Sequence, residues 1–193
     1  MIDFDRKSTI LVVALEAELP RAMAPDWHIV YTGVGKINAA VTLCTALDHL
    51  RPRAVVNYGT AGSLKPGLRG IHRVTRFLQR DMDVRALGFE LGQTPFEDDL
   101  LIDLGPAGLS CGTGDHFVSA PPELASDLVD MEAYALAKIC QQRGVDFHCF
   151  KFISDNADGD AATDWATQLE TGAHLFVETI LNGAGGETRT PTA

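Results

Sequence analysis

Two hydrophobic periodicities alternate along the chain. Short runs that are nearly continuous in apolar residues occur at Thr9–Ala14, His28–Thr32, Ala54–Tyr58, Gly108–Gly112 and Val145–Ile153. Runs of this kind predict central β-strands covered on both faces. Between and after them, Asn38 to Leu50 places Ala39, Ala40, Leu43, Leu47 and Leu50 at helical spacing. Glu132 to Arg143 does likewise, and Ala162 to Leu181 is the longest helical candidate. Gly and Pro clusters at Gly59–Gly70, Gly92–Pro95 and Pro121–Pro122 predict loops. Strands alternating with helices predict an α/β protein, a single-domain three-layer α/β/α sandwich around a central mixed, largely parallel sheet. A chain of 193 residues suits one domain, at roughly 150 residues per domain. We place that domain at 1–182 and expect the Gly-, Thr- and Pro-rich tail 183–193 to fray.

In open α/β sheets, ligands bind outside the carboxyl ends of the strands. Polar residues just after the predicted strands are therefore the first site candidates: Glu16 and Glu18, Gly33–Lys36, Asn57–Gly62, Asp115–Phe117, and Ser154–Asp155. The prediction is that these five strand ends share one rim.

Composition narrows the chemistry. A formal net charge of −10 opposes binding to phosphate backbones, which rests on clustered Lys and Arg. Nucleic acid is excluded as a partner, and a small, uncharged or cationic ligand fits better. No apolar run approaches the ~20 residues that span a bilayer, so no membrane segment is expected. The stretch Met1–Lys7 is polar and charged, and Ile10–Leu15 is too short for a signal peptide. A cytoplasmic protein is expected. The four cysteines, Cys44, Cys111, Cys140 and Cys149, lack any Cys-x-x-Cys pair and read as buried reduced thiols. The six histidines are singletons without metal-ligand spacing. No metal and no cofactor are predicted, and no Gly-x-Ser-x-Gly or convincing Ser/His/Asp set is present.

Each motif also has an ordinary structural explanation. Gly33-Val34-Gly35-Lys36 lacks the spacing of nucleotide-binding loops and reads as a tight turn into a helix. Gly59-Thr60-Ala61-Gly62 is either a plain turn or a place where backbone amides approach a ligand. Glu16 and Glu18 are predicted to open a short helix, and Met131-Glu132 to start one. Asp155 ends the most apolar strand; it is either an N-cap for the next element or a functional carboxylate delivered by a buried strand. Phe117 and Trp165 suit a core as well as a site, and His174 reads as a helix-surface residue.

In their order, seven segments resemble the nucleoside phosphorylase and nucleosidase superfamily, most closely the 5'-methylthioadenosine/S-adenosylhomocysteine nucleosidases. They are Ala14-Leu15-Glu16-Ala17-Glu18, Gly33-Val34-Gly35-Lys36, Asn57 to Gly62, Gly88 to Pro95, Gly114-Asp115-His116-Phe117, Asp130-Met131-Glu132-Ala133 and Ile153-Ser154-Asp155. No single segment is specific; the ordered set is. The resemblance implies a phosphorylase-like fold and hydrolysis of a purine nucleoside to free base. It makes Glu18 the acid that activates water and Asp155 the one that protonates N7 of the purine. Met131 and Glu132 fall on the segment that holds the ribose hydroxyls, Phe117 on the aromatic that stacks on the base, and Val118 beside it. Ser154 falls on a support for Asp155 or the base edge, and Thr60 on the Gly-Ser/Thr turn. Leu15, Leu87, Phe89, Pro95 and Trp165 correspond to the apolar lining around the 5' substituent, some of them contributed across the interface of an expected homodimer.

The implied chemistry suits these residue types. Departure of the base leaves an oxocarbenium-like ribose, and protonating N7 avoids expelling an anion. Superfamily phosphorylases bind phosphate with arginines, one just before the Gly-Ser/Thr turn, where this chain has Asn57; water is therefore the expected nucleophile. Departures from the family pattern are a short stretch between Glu18 and Gly35, a short Asp99–Leu109 connection, Thr60 for serine and Leu15 for methionine. A phosphorylase, a nucleosidase for futalosine or inosine, and a non-catalytic nucleoside-binding module are the competing readings.

Overall fold

The computed structural model describes residues 4–97, 99–105, 107–158 and 161–183. Strand β1 (Thr9–Val13) is buried along its whole length and pairs in parallel with β2 (His28–Tyr31) on one side and β3 (Ala54–Ser63) on the other. Its side chains alternate between two cores. Val12 and Val55 face helices α1 (Lys36–Leu50) and α2 (Ala133–Arg143), while Leu11, Val13 and Val56 face α3 (Ala161–Phe176). Both faces are covered, which explains the nearly continuous apolar runs in the sequence. A π-helical turn, Val177–Leu181, continues α3.

Beyond β3 the sheet closes on itself. Strand β8 (Asp146–Asp155) runs parallel to β3 and antiparallel to β4 (Ile71–Gln79); β4 pairs in parallel with β6 (Leu109–Thr113), and β6 with β7 (Leu128–Asp130). The last two residues of β3, Gly62 and Ser63, then pair antiparallel with Val129 and Leu128 of β7. Strands β3, β8, β4, β6 and β7 therefore form a ring, and β5 (Ile102–Asp103) adds an antiparallel edge to β4. Within the three-layer α/β/α architecture that the pattern predicts, this closure is the additional feature.

Several local expectations need correction. The stretch Gly59–Ser63 is not a loop but the end of β3. Its glycines answer close approach rather than turning: a Cβ on Gly59 would lie 3.1 Å from Lys151 Nζ, and one on Gly62 only 2.7 Å from Asp155 Oδ1. Glu16 and Glu18 open no helix; they lie in a turn in which the Glu18 N–H donates to the Leu15 carbonyl. Strands β4 and β7 escaped the sequence reading because Arg73, Thr75, Arg76 and Gln79 interrupt the one and the other is three residues long. Gly33 and Gly35 do form the predicted tight turn, with φ of 78° and 94°, and Gly35 caps α1. All four cysteines are free, but Cys44 is only partly buried. Among the described residues no helix is long and apolar enough to cross a membrane. Apart from Gly183, the tail expected to fray lies outside the described residues.

Candidate active site

The carboxyl end of β1, β3, β6, β7 and β8 surrounds a cavity of about 240 Å³. Glu18 reaches it from the turn after β1. Its Oε1 accepts from the Thr60 backbone N–H (2.9 Å) and hydroxyl (2.7 Å), and its Oε2 accepts from the Leu15 N–H (3.2 Å). Glu18 is 4% exposed. Three donors and near-complete burial leave it little freedom to turn.

Asp155 enters from β8 through a break in the ladder. Ala61 faces Ile153 but Gly62 faces Asp155, so Ser154 is an extra residue on β8. Such a bulge re-aims a side chain, and bulges gather at active sites. The Asp155 carboxyl accepts from the Ser154 hydroxyl (2.7 Å) and the Ala157 N–H (2.8 Å). The latter bond tightens the turn after β8; it is not a helix cap, because α3 begins at Ala161.

Glu132 sits just ahead of α2, its Oε1 held by the Gly35 N–H at 2.8 Å. Burial, reinforced by the neighbouring Asp130 carboxylate, pushes its pKa up to about 7, against the pull of Lys151 and the Gly35 N–H. A raised acid pKa means that stability is greatest below the ordinary value of 4.5 and declines as pH rises through about 7. In the absence of nucleoside, the melting temperature of Glu132→Gln is expected to vary less between pH 4.5 and 8 than that of the parent. Superimposable profiles would remove Glu132 as the titrating group.

Beneath these acids lies a buried ion pair that the sequence reading did not single out. Lys151 Nζ stands 2.9 Å from Asp130 Oδ2, with both side chains almost fully buried. Asp130 also accepts from the Thr113 hydroxyl (2.6 Å) and the Ala133 N–H (2.8 Å), so it anchors the start of α2. Burial alone would lower the Lys151 pKa, but the adjacent Asp130 carboxylate raises it well above the ordinary lysine value. Burial acts in the opposite sense on Asp130, and Lys151 and Thr113 hold its pKa below the ordinary value. A lysine set between the apolar, buried Phe150 and Phe152 of a strand was the available signal, since a buried charge needs a partner.

Arg80 was also missed, and it lines the cavity. Its Nε donates to the Gly112 carbonyl (3.1 Å), its Nη2 to those of Gly114 (3.1 Å) and His116 (2.6 Å), and its Nη1 contacts the His116 ring (2.7 Å). The guanidinium thus shapes the turn that carries Phe117. A Cβ on Gly114 would lie 2.8 Å from Arg80 Cζ, which explains the glycine. Among the described residues Arg80 is the only Lys or Arg on the cavity wall.

Of the residues nominated from sequence, Glu18, Asp155, Thr60, Phe117, Val118, Met131, Glu132, Ser154, Leu15 and Trp165 all line this cavity. Leu87, Phe89 and Pro95 do not. Leu87 is largely exposed, and Phe89 packs edge-on against Phe96, their ring centroids 5.5 Å apart. Asn57 does not line it either: its amide lies within the sheet, donating to the Val12 carbonyl and accepting from Cys149. It therefore says less about the nucleophile than its sequence position implied. Among the described residues no group of three or more His, Cys, Asp or Glu side chains could hold a metal ion.

Comparison with known proteins shows the family and the fold. The phosphorylase superfamily model matches residues 24–107 and 113–182. The chain belongs to the phosphorylase superfamily. Asp155 lies within the matched residues and Glu18 just ahead of them. A curated relative, the 5'-methylthioadenosine/S-adenosylhomocysteine nucleosidase of Geobacillus kaustophilus, is 33% identical, covering 78% of this chain and 76% of its own. Among solved structures, the corresponding nucleosidase of Helicobacter pylori superposes with a TM-score of 0.80 at 21% identity, covering 93% of this chain and 100% of the other. The futalosine hydrolase of the same organism does so at 0.81 and 20% identity, covering 91% and 97%. These two share the fold. With its curated relatives named as nucleosidases, this superfamily member is an enzyme of that class, an N-glycosyl hydrolase.

Proposed function

We propose that the chain hydrolyses the N-ribosidic bond of a purine nucleoside, with Glu18 as the base that activates water and Asp155 as the acid that protonates N7. The observation that carries this reading is the convergence of two buried carboxyl groups, from opposite ends of the sequence, on one cavity. Asp155 transfers its proton to N7 as the C1'–N9 bond breaks, so the base leaves neutral. A water gives one proton to Glu18 while its oxygen bonds C1'. The products are free base and a free ribose, and proton exchange with solvent restores both acids. Glu132, with Met131 beside it, accepts from the ribose hydroxyls, and the Phe117 ring covers the base.

A 5'-substituted adenosine such as methylthioadenosine or adenosylhomocysteine is the proposed substrate, following the curated relatives. Leu15 and Trp165 then form the apolar wall for the 5' group. Water is favoured over phosphate because the donors of Arg80 are directed at backbone carbonyls and the His116 ring rather than left as an anion clamp. The exposure of Leu87 and of Phe96, at 95%, supports reading their segment as the contact of a homodimer. The test is release of free base from methylthioadenosine, adenosylhomocysteine, adenosine, inosine and futalosine, with and without phosphate. The expected result is that the 5'-thio-substituted adenosines are cleaved fastest, phosphate changes nothing and the sugar appears unphosphorylated, with its 5' substituent retained. Phosphate-dependent turnover giving ribose 1-phosphate would overturn the hydrolytic reading, and preference for futalosine or inosine would replace the substrate.

A further inference from the structure

The resemblance makes Trp165 part of an apolar wall, but its indole nitrogen does something a wall does not require. Nε1 donates to the Thr60 hydroxyl at 2.8 Å, and that hydroxyl donates onward to Glu18 Oε1 at 2.7 Å. We propose that Trp165 is a positioning residue for Glu18, acting through Thr60: its N–H fixes the direction of the Thr60 hydroxyl so that the single O–H proton points at the carboxylate.

The argument rests on donor and acceptor inventory. A hydroxyl carries one proton and two acceptor lone pairs, and it rotates to suit its surroundings. The indole N–H can only donate. With Trp165 occupying a lone pair of the Thr60 oxygen, the hydroxyl proton is left for its other near neighbour, Glu18. A hydroxyl that accepts a bond is also polarised into a better donor. Every part of the relay is held by the fold. Thr60 is in β3, its backbone N–H bonds the same Oε1 at 2.9 Å, and its β-branched side chain has few rotamers. Trp165 is on α3, which is anchored to the sheet through Ala173 and Phe176. Phenylalanine or leucine could fill the space of Trp165, but neither could make the bond.

This inference rests on the assignment of Glu18 as the base, and its test separates the two. Trp165→Phe keeps an aromatic ring and removes the donor. Its kcat is expected to fall about 3–10-fold, the weight of one neutral hydrogen bond, with KM near that of the parent. Thr60→Val, which removes the middle of the relay while keeping shape, supplies a second route. In the Thr60→Val background, and on the residual rate of Glu18→Gln, Trp165→Phe is expected to have no further effect. A change confined to KM, or an undiminished loss of kcat in both backgrounds, would overturn the relay and return Trp165 to the apolar wall. Parent-like turnover by Glu18→Gln would instead remove the base assignment, and the relay with it.

Discussion

Asp155→Asn is expected to bind nucleoside nearly as well as the parent while releasing base about 10²–10⁴-fold more slowly, the usual range for loss of a general acid. The replacement is close to isosteric. The Ala157 N–H can still donate to the side-chain oxygen, and the Ser154 hydroxyl, now facing an amide NH₂, can turn from donor to acceptor. The turn after β8 therefore persists, and the melting temperature should stay close to that of the parent. What disappears is the proton that the leaving base requires, since an amide at this position has no acidic hydrogen to give N7. Calorimetry measures binding, and a single-turnover assay of free base measures the chemistry. Base release within a few-fold of the parent would remove Asp155 from the reaction. Joint loss of binding and melting temperature would give it a structural role instead.

The location of the site was legible in the sequence because it is a consequence of topology. Nearly continuous apolar runs at Thr9–Val13, Ala54–Tyr58 and Val145–Ile153 mark strands with both faces covered, and such strands leave their ends as places where polar side chains can gather. Glu18, Thr60, Ser154 and Asp155 meet there as expected. Less legible was anything that depends on partners remote in sequence. Arg80 stands just past a strand whose polar residues hide its periodicity, and its contacts with Gly112, Gly114 and His116 have no local signature. The ring closure through Gly62 and Ser63 was hidden for a related reason. A stretch rich in glycine suggested a loop, whereas the glycines are there because Lys151 and Asp155 occupy the space a side chain would need. Leu87, Phe89 and Pro95 were nominated by resemblance alone, and their segment lies off the cavity of the single chain.

Glu18→Gln tests the other half of the proposed reaction, again with an expected loss of about 10²–10⁴-fold in base release. Here the hydrogen bonds make a sharper prediction about geometry. The glutamine oxygen can occupy the position of Oε1 and keep both bonds from Thr60, but the amide nitrogen then faces the Leu15 N–H, a donor against a donor, where Oε2 now accepts at 3.2 Å. One weak bond is lost and the two stronger ones remain, so the side chain should hold its place and the chain should melt within a few degrees of the parent. The variant still presents oxygen to an incoming water but cannot take its proton. Its defect should therefore appear in kcat far more than in KM, because the ribose and base contacts proposed for Glu132 and Phe117 are untouched. A loss confined to KM would make residue 18 a binding group, and turnover at the parent rate would leave water activation without its base.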